Sequence, residues 1–218
     1  MTNEEMMLEM LQSQDKLNRK LNPKWKTQYW NHGAALLVES GEVLDELKYK
    51  WWKAPGRIDC SAVRLELVDM WHFALNIIEL HPIVRTNVLN DLASNIEEAD
   101  LLVKYRLTDA ECIACVSKTV GDFLYGRCEL VNFLAVCSHY DMPFAELYKQ
   151  YTIKNVLNEF RWDHGYLEGT YGNAVYYYEG RQYIVKSDSA LAAKMGEELK
   201  EFTREGLYAS LALAYTTA

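Results

Sequence analysis

The stretch VRLELVDMWHFALNII, residues 63–78, carries apolar side chains at nearly every helical angle and yet contains Glu66 and Asp69. A helix that is apolar all round is buried on most sides. An isolated ionised carboxylate is rarely tolerated in such surroundings, so these acids are expected to meet a cation. A second run, AALLVESGEVLDEL at 34–47, sets Glu39 and Glu42 at the same i,i+3 spacing. Each helix then projects two carboxylates from one face, about one turn apart. Four acids facing one another in a helical bundle suit a hard divalent metal.

Helical geometry sharpens the arrangement. At roughly 100° per residue, Leu36, Val43 and Leu47 form an apolar stripe, and Glu39, Glu42 and Glu46 fall within about 60° of each other along its flank. On the other helix Glu66, Asp69, His72 and Asn76 form a polar strip on an otherwise apolar cylinder. Packing the strips together assembles oxygen ligands of the kind Mg²⁺ takes, and Mg²⁺ completes its shell with waters and substrate phosphates. An acidic strip on one helix is otherwise a solvated face, a reading that fits 39–46 better than 66–69.

The remaining segments read as helices too. Apolar spacing predicts helices over about 3–20, 29–52, 62–80, 83–106, 109–138 and 142–158, the last with Asp141 as N-cap and Pro143 in its first turn. Pro23, the APGR turn at 54–57 and Pro82 punctuate them. From Gly165 onward the texture becomes rich in Gly and Tyr, with a short hairpin expected around Glu179-Gly180 and a closing helix from about Ser189 to Leu213. The expectation is one all-α domain over residues 1–218, a multi-helix bundle with a Gly/Tyr-rich loop and a C-terminal helical extension.

Bulk properties narrow the classes. Half of the 218 residues are hydrophobic, enough for a substantial core. The formal charge of −8 argues against a sequence-independent grip on nucleic acid. The five cysteines are odd in number and lie in apolar segments, as expected of reduced core thiols in a cytoplasmic protein. Cys112 and Cys115 form a C-x-x-C without a second pair or suitably spaced histidines, which is too little for a zinc site. The acidic start MTNEEMMLEM and the absence of a long apolar run give no expectation of a signal peptide or a membrane span.

A second constellation lies in YTIKNVLNEFRWDHGYLEGTY. Lys154, Asn158 and Arg161 are spaced i, i+4, i+7, which stacks a cation, an amide and a second cation along one helix edge. Lys offers a compact charge and Arg a planar fork of donors for phosphate oxygens. The same residues also suit a helix C-terminus closed by Gly165. A nucleoside triphosphate bound through Mg²⁺ needs both the carboxylates and the cations.

These motifs resemble those of the all-α nucleoside triphosphate pyrophosphatases, the MazG-like superfamily. LQSQDKLN at 11–18, VESGEVLDELKYKWWK at 38–53, VRLELVDMWHF at 63–73 and KNVLNEFRWDHGYLEGTY at 154–171 are similar to its dimeric dUTPase branch, over roughly residues 5–171. The resemblance implies a homodimer that hydrolyses dUTP to dUMP and pyrophosphate, and accepts dUDP, by water attack on the β-phosphorus. It assigns Mg²⁺ to Glu39, Glu42, Glu66 and Asp69, and the orienting or deprotonation of water to Glu42 or Glu39, with Glu42 preferred. It implies phosphate contacts from Lys154, Asn158 and Arg161, with Tyr166 in the same motif, and places Gln14 and Asn18 near the uracil and deoxyribose. Trp52 would be an aromatic wall of the base pocket, and His72 either a nucleotide contact or a core histidine. The chain departs from the pattern at YYYEGRQYIVKSDS, where Arg181 and Gln182 stand in place of family acids. Three other readings are a related pyrimidine pyrophosphatase accepting dCTP with dUTP, a non-catalytic α-helical interaction protein, and a di-iron bundle. The last requires inward Glu-x-x-His motifs that the chain lacks.

Overall fold

The computed structural model describes residues 1–54, 56–105, 107–173, 175–184 and 187–216. Its elements are α1 (Asn3–Leu21), α2 (His32–Glu46), α3 (Cys60–Leu80), α4 (Pro82–Lys104), α5 (Asp109–Leu124), α6 (Val131–His139), α7 (Phe144–Asp163), β1 (Val175–Tyr178), β2 (Arg181–Ile184), α8 (Asp188–Glu198), α9 (Arg204–Ala214) and β3 (Tyr215–Thr216). The all-α expectation holds, with a small sheet added. The expected APGR turn and the residue-106 helix end touch Pro55 and Arg106, which lie outside the described residues. No described helix is long and apolar enough to cross a membrane.

Helix starts follow local chemistry. Thr2 and Glu5 close a capping box on α1, as Thr108 and Glu111 do on α5, so two orphan backbone donors are satisfied at each start. Asp59 caps α3 by accepting from the Ser61 and Ala62 amides, and Pro82 occupies the first turn of α4, where its missing N–H is not needed.

Helix ends are where expectation and structure part. The helix expected over 29–52 spans only His32–Glu46. Lys48 turns left-handed (φ 57°), its N–H bonds Asp45 O, and the Tyr49 N–H bonds Leu44 O. That is a Schellman closure, here with lysine in the position glycine favours. The single helix expected over 109–138 breaks by the same device at Gly126 (φ 72°), with Gly126 and Arg127 amides on the Phe123 and Asp122 carbonyls. The third instance overturns the expected cap at Asp141. This residue is left-handed (φ 56°) and closes α6 through its own and the Met142 amides. Pro143 then precedes α7, its carbonyl accepting from Leu147.

The chain divides into two compact units, residues 1–148 and 149–218. In the first, α2 packs most extensively on α3, α1 lies against α3 and α4, and α6 against α4 and α5. Leu36 and Val43 of α2 and Val63, Leu67, Met70 and Trp71 of α3 are fully buried. Trp71 stacks on Phe133 with ring centroids 5.0 Å apart, and its indole N–H meets Met10 Sδ at 3.3 Å. Cys112, Cys128 and Cys137 are buried thiols, whereas Cys60 is exposed, contrary to the reading of all five as core residues.

In the second unit Ile153, Val156, Leu157 and Phe160 of α7 share a core with Tyr171, Tyr176, Leu191, Met195, Leu207 and Leu211. The hairpin falls where expected: Glu179 (φ 49°) and Gly180 (φ 73°) form the two-residue turn between β1 and β2, both left-handed as a type I′ turn requires. Strand β3 pairs with the other edge of β1, matching Tyr176 to Tyr215. The closing helix expected from Ser189 to Leu213 is two helices, because Leu199 leaves α8 extended and Thr203 caps α9 anew.

Trp71→Ala removes a fully buried indole and should lower the unfolding free energy by about 3–5 kcal/mol. A urea midpoint shifted down at unchanged m-value is the expected reading.

Candidate functional site

The α2–α3 pairing brings the carboxylates together. Glu39, Glu42 and Glu66 each offer an oxygen, and the three oxygens lie within 4.8 Å of one another. Among the described residues this is the one gathering of side chains that could ligate a metal. Asp69 stands outside the three-oxygen group but acts on Glu66 electrostatically. Glu46, on the same helix flank, is turned to Lys48 at 3.2 Å.

The acids are half-buried rather than sunk in the core. Glu39 and Glu66 are partly exposed, Glu42 is exposed, and the neighbouring Leu65 keeps 43% of its surface. The 63–78 helix therefore has a wet edge that its apolar composition conceals. Burial still dominates the chemistry of Glu66. It pushes the carboxyl up to about 7, helped by the charges of Asp69 and Glu42, a hydrogen bond with Glu42, and the charge of Glu39. A divalent cation among these acids opposes every one of those like-charge influences. Three convergent carboxylate oxygens and no sulfur form the donor set of a hard cation, so the residues fit Mg²⁺.

A buried amide network occupies the same unit. Asn76 Oδ1 accepts from Gln14 Nε2 at 3.0 Å and from Asn18 Nδ2 at 2.7 Å. With its carbonyl so engaged, Asn76 directs its amide N–H to His32 Nδ1, 3.2 Å away. His32 Nδ1 is then an acceptor, and Nε2 carries the proton in the neutral ring. Burial lowers the His32 pKa and favours that neutral form. The Nε2 atom is buried with no hydrogen-bond partner among the described residues. His32 is the member sequence reasoning missed; its ring meets Trp25 and Trp30 edge-on, and no periodic pattern marks it.

The other expected residues divide. His72 is buried and donates its Nδ1–H to the Val68 carbonyl at 2.8 Å. Trp52 is 57% exposed in the turn after α2, edge-on to Tyr49 and Trp51, so it is no core tryptophan. In the second unit Lys154, Asn158 and Arg161 share one stretch of α7. Arg161 Nη1 donates to Asn158 Oδ1 at 3.1 Å, while its Nε and Nη2 donate to Asp188 at 3.0 and 2.6 Å. Gly165, left-handed at φ 86°, closes the helix as expected, and Tyr166 beyond it is exposed. A Cβ at Gly165 would lie 2.0 Å from Thr170 Oγ1, so no other residue fits there without movement. Asp188, also missed, is 1% exposed at the first position of α8. Arg181 and Gln182 are exposed on β2.

A family model described as dUTPase matches residues 6–166, well over half of the chain. No curated protein matches it.

The raised Glu66 pKa has a consequence for stability. Between its ordinary value of 4.5 and about 7 the folded chain holds a proton that the unfolded chain has released, so stability in chelator falls as pH rises through that window. Glu66→Gln should therefore melt higher than the parent above about pH 7 and match it near pH 4.5. Thermal melts across that range, in the presence of chelator, check this.

Proposed function

The chain belongs to the dUTPase family and hydrolyses dUTP, and from that premise we propose that hydrolysis depends on Mg²⁺ held by Glu39, Glu42, Glu66 and Asp69 and yields dUMP and pyrophosphate. The observation that supports this is the convergence of Glu39, Glu42 and Glu66 oxygens within 4.8 Å. When bound, Mg²⁺ neutralises phosphate charge and lowers the pKa of water.

The chain's own residues supply the rest. Glu42, the exposed member of the trio, orients the attacking water and takes its proton, with Glu39 the alternative base. Water attacks the β-phosphorus, its oxygen entering pyrophosphate while dUMP leaves with the bridging oxygen. Asn158 spends its carbonyl on Arg161, so its N–H₂ donors are the ones suited to a phosphate. Lys154 adds a point charge and Arg161 a directed donor. The Gln14 and Asn18 amides orient the base and deoxyribose, the exposed indole of Trp52 offers a stacking face, and Tyr166 completes the contacts. The same machinery accepts dUDP. The active form is a homodimer, which gives a role to Leu37, Val38 and Leu65, apolar residues exposed beside the acids in sequence.

Pyrophosphate release from dUTP, dCTP, dTTP, dATP and dGTP, with and without Mg²⁺, tests this directly. Selective release from dUTP that chelator abolishes is expected, whereas comparable release from dCTP would make the enzyme a broader pyrimidine pyrophosphatase. Glu42→Gln and Asp69→Asn should each cut turnover at least about 100-fold with helical content intact; unchanged turnover in either variant sinks the metal assignment. In ¹⁸O-labelled water the label should appear in pyrophosphate, and label in dUMP would instead assign attack to the α-phosphorus.

A further inference from the structure

The family match ends at residue 166, yet the Arg161 guanidinium is held by groups beyond it. Asp188 Oδ2 accepts from Nε at 3.0 Å and Asp188 Oδ1 from Nη2 at 2.6 Å, while Ser189 Oγ lies 3.1 Å from Nη2. A guanidinium has five N–H donors in a fixed planar fork. These bonds, with the one to Asn158 Oδ1, engage the Nε hydrogen, both hydrogens of Nη2 and one of the two on Nη1. What is left is a single Nη1–H, pointing in a direction the other four bonds fix.

The acid that does this is itself anchored. Asp188 Oδ2 also accepts from Tyr171 Oη at 2.8 Å, and Tyr171 Oη meets Tyr176 Oη. The carboxylate lies in the first turn of α8, where the helix dipole favours negative charge. A surface arginine samples many rotamers; this one, with 19% of its side chain exposed, is clamped on a carboxylate with 1%.

We infer that Asp188, assisted by Ser189, is a positioning residue for dUTP hydrolysis: it holds the Arg161 guanidinium so that one Nη1–H is presented to a phosphate oxygen. This rests on the reading of Arg161 as a phosphate ligand. It assigns the segment after residue 166 a part in substrate recognition. It also makes the arginine's phosphate contact a single directed bond, because the bidentate edge already belongs to Asp188.

A double-mutant cycle on the full chain tests the inference. Asp188→Asn keeps the shape but places an amide against the guanidinium, and should lower kcat/KM for dUTP about tenfold, through KM. Arg161→Ala should lower it as well, and adding Asp188→Asn to Arg161→Ala should cost nothing further. The inhibition constant of deoxyuridine, which has no phosphate, should stay at the parent value in Asp188→Asn; a merely structural loss would move it. If Asp188→Asn fails to fold, Ser189→Ala removes only the Nη2–Oγ bond and should show the same non-additivity with a loss of about threefold. Additive losses, or a folded Asp188→Asn with unchanged kcat/KM, overturn the positioning role alone. An Arg161→Ala variant with unchanged kcat/KM overturns the phosphate assignment of Arg161 and this inference with it, while a parent protein that releases no pyrophosphate overturns the reaction itself.

Discussion

The packing of α2 on α3 is the interaction on which the rest of the molecule's chemistry depends, because it holds like charges together that would otherwise separate. Leu36 and Val43 on one helix and Val63, Leu67 and Met70 on the other are wholly buried, and burial of such side chains stabilises by about 1.5–3 kcal/mol each. That apolar gain sustains three convergent carboxylate oxygens at the margin of the same contact. The strain is legible at Glu66, whose proton is retained to about pH 7. The proton is held there by burial and by the like charges of Asp69, Glu42 and Glu39.

Polar groups elsewhere are handled differently. Asn76 turns one carbonyl to two amides and its own amide to His32, so three side chains are locked through one residue. Such networks fix rotamers and hydrogen-bond directions more than they add net stability. The amide orientations of Gln14 and Asn18 are thereby fixed from within the protein. The Arg161–Asp188 pair follows the same logic in the second unit, where a charge that water would otherwise solvate is given a fixed direction by a buried carboxylate.

Three helices of the first unit end on left-handed residues, two of which the amino-acid pattern hardly announces. Gly126 is an ordinary signal for such a closure, but Lys48 and Asp141 are not. Hydrophobic periodicity continues straight through Lys48 and Gly126, because apolar residues serve the core on both sides of each break. This is why the runs at 29–52 and 109–138 read as single helices. The Glu179-Gly180 turn and the Gly165 stop were legible because glycine's freedom at positive φ is a property of the residue itself. Strand β3 was not, since two residues in register with β1 have no local signature.

The sequence by itself determined the helical class, the carboxylate pairs at i,i+3, the cation–amide–cation edge at 154–161 and the family to which they belong. Each of these is written in spacing along one helix or in a contiguous motif, and spacing survives any packing. Tertiary structure alone decided which carboxylates converge, that Asp69 acts on Glu66 from outside the trio, that His32 joins the Asn76 network, and that Asp188 takes the bidentate edge of Arg161. Apart from Asp69 and Glu66, which share one helix, those pairings join residues 24 to 44 positions apart. Nothing local encodes which side chains meet over such separations; the meeting is settled only when apolar faces choose their partners and carry the polar residues with them.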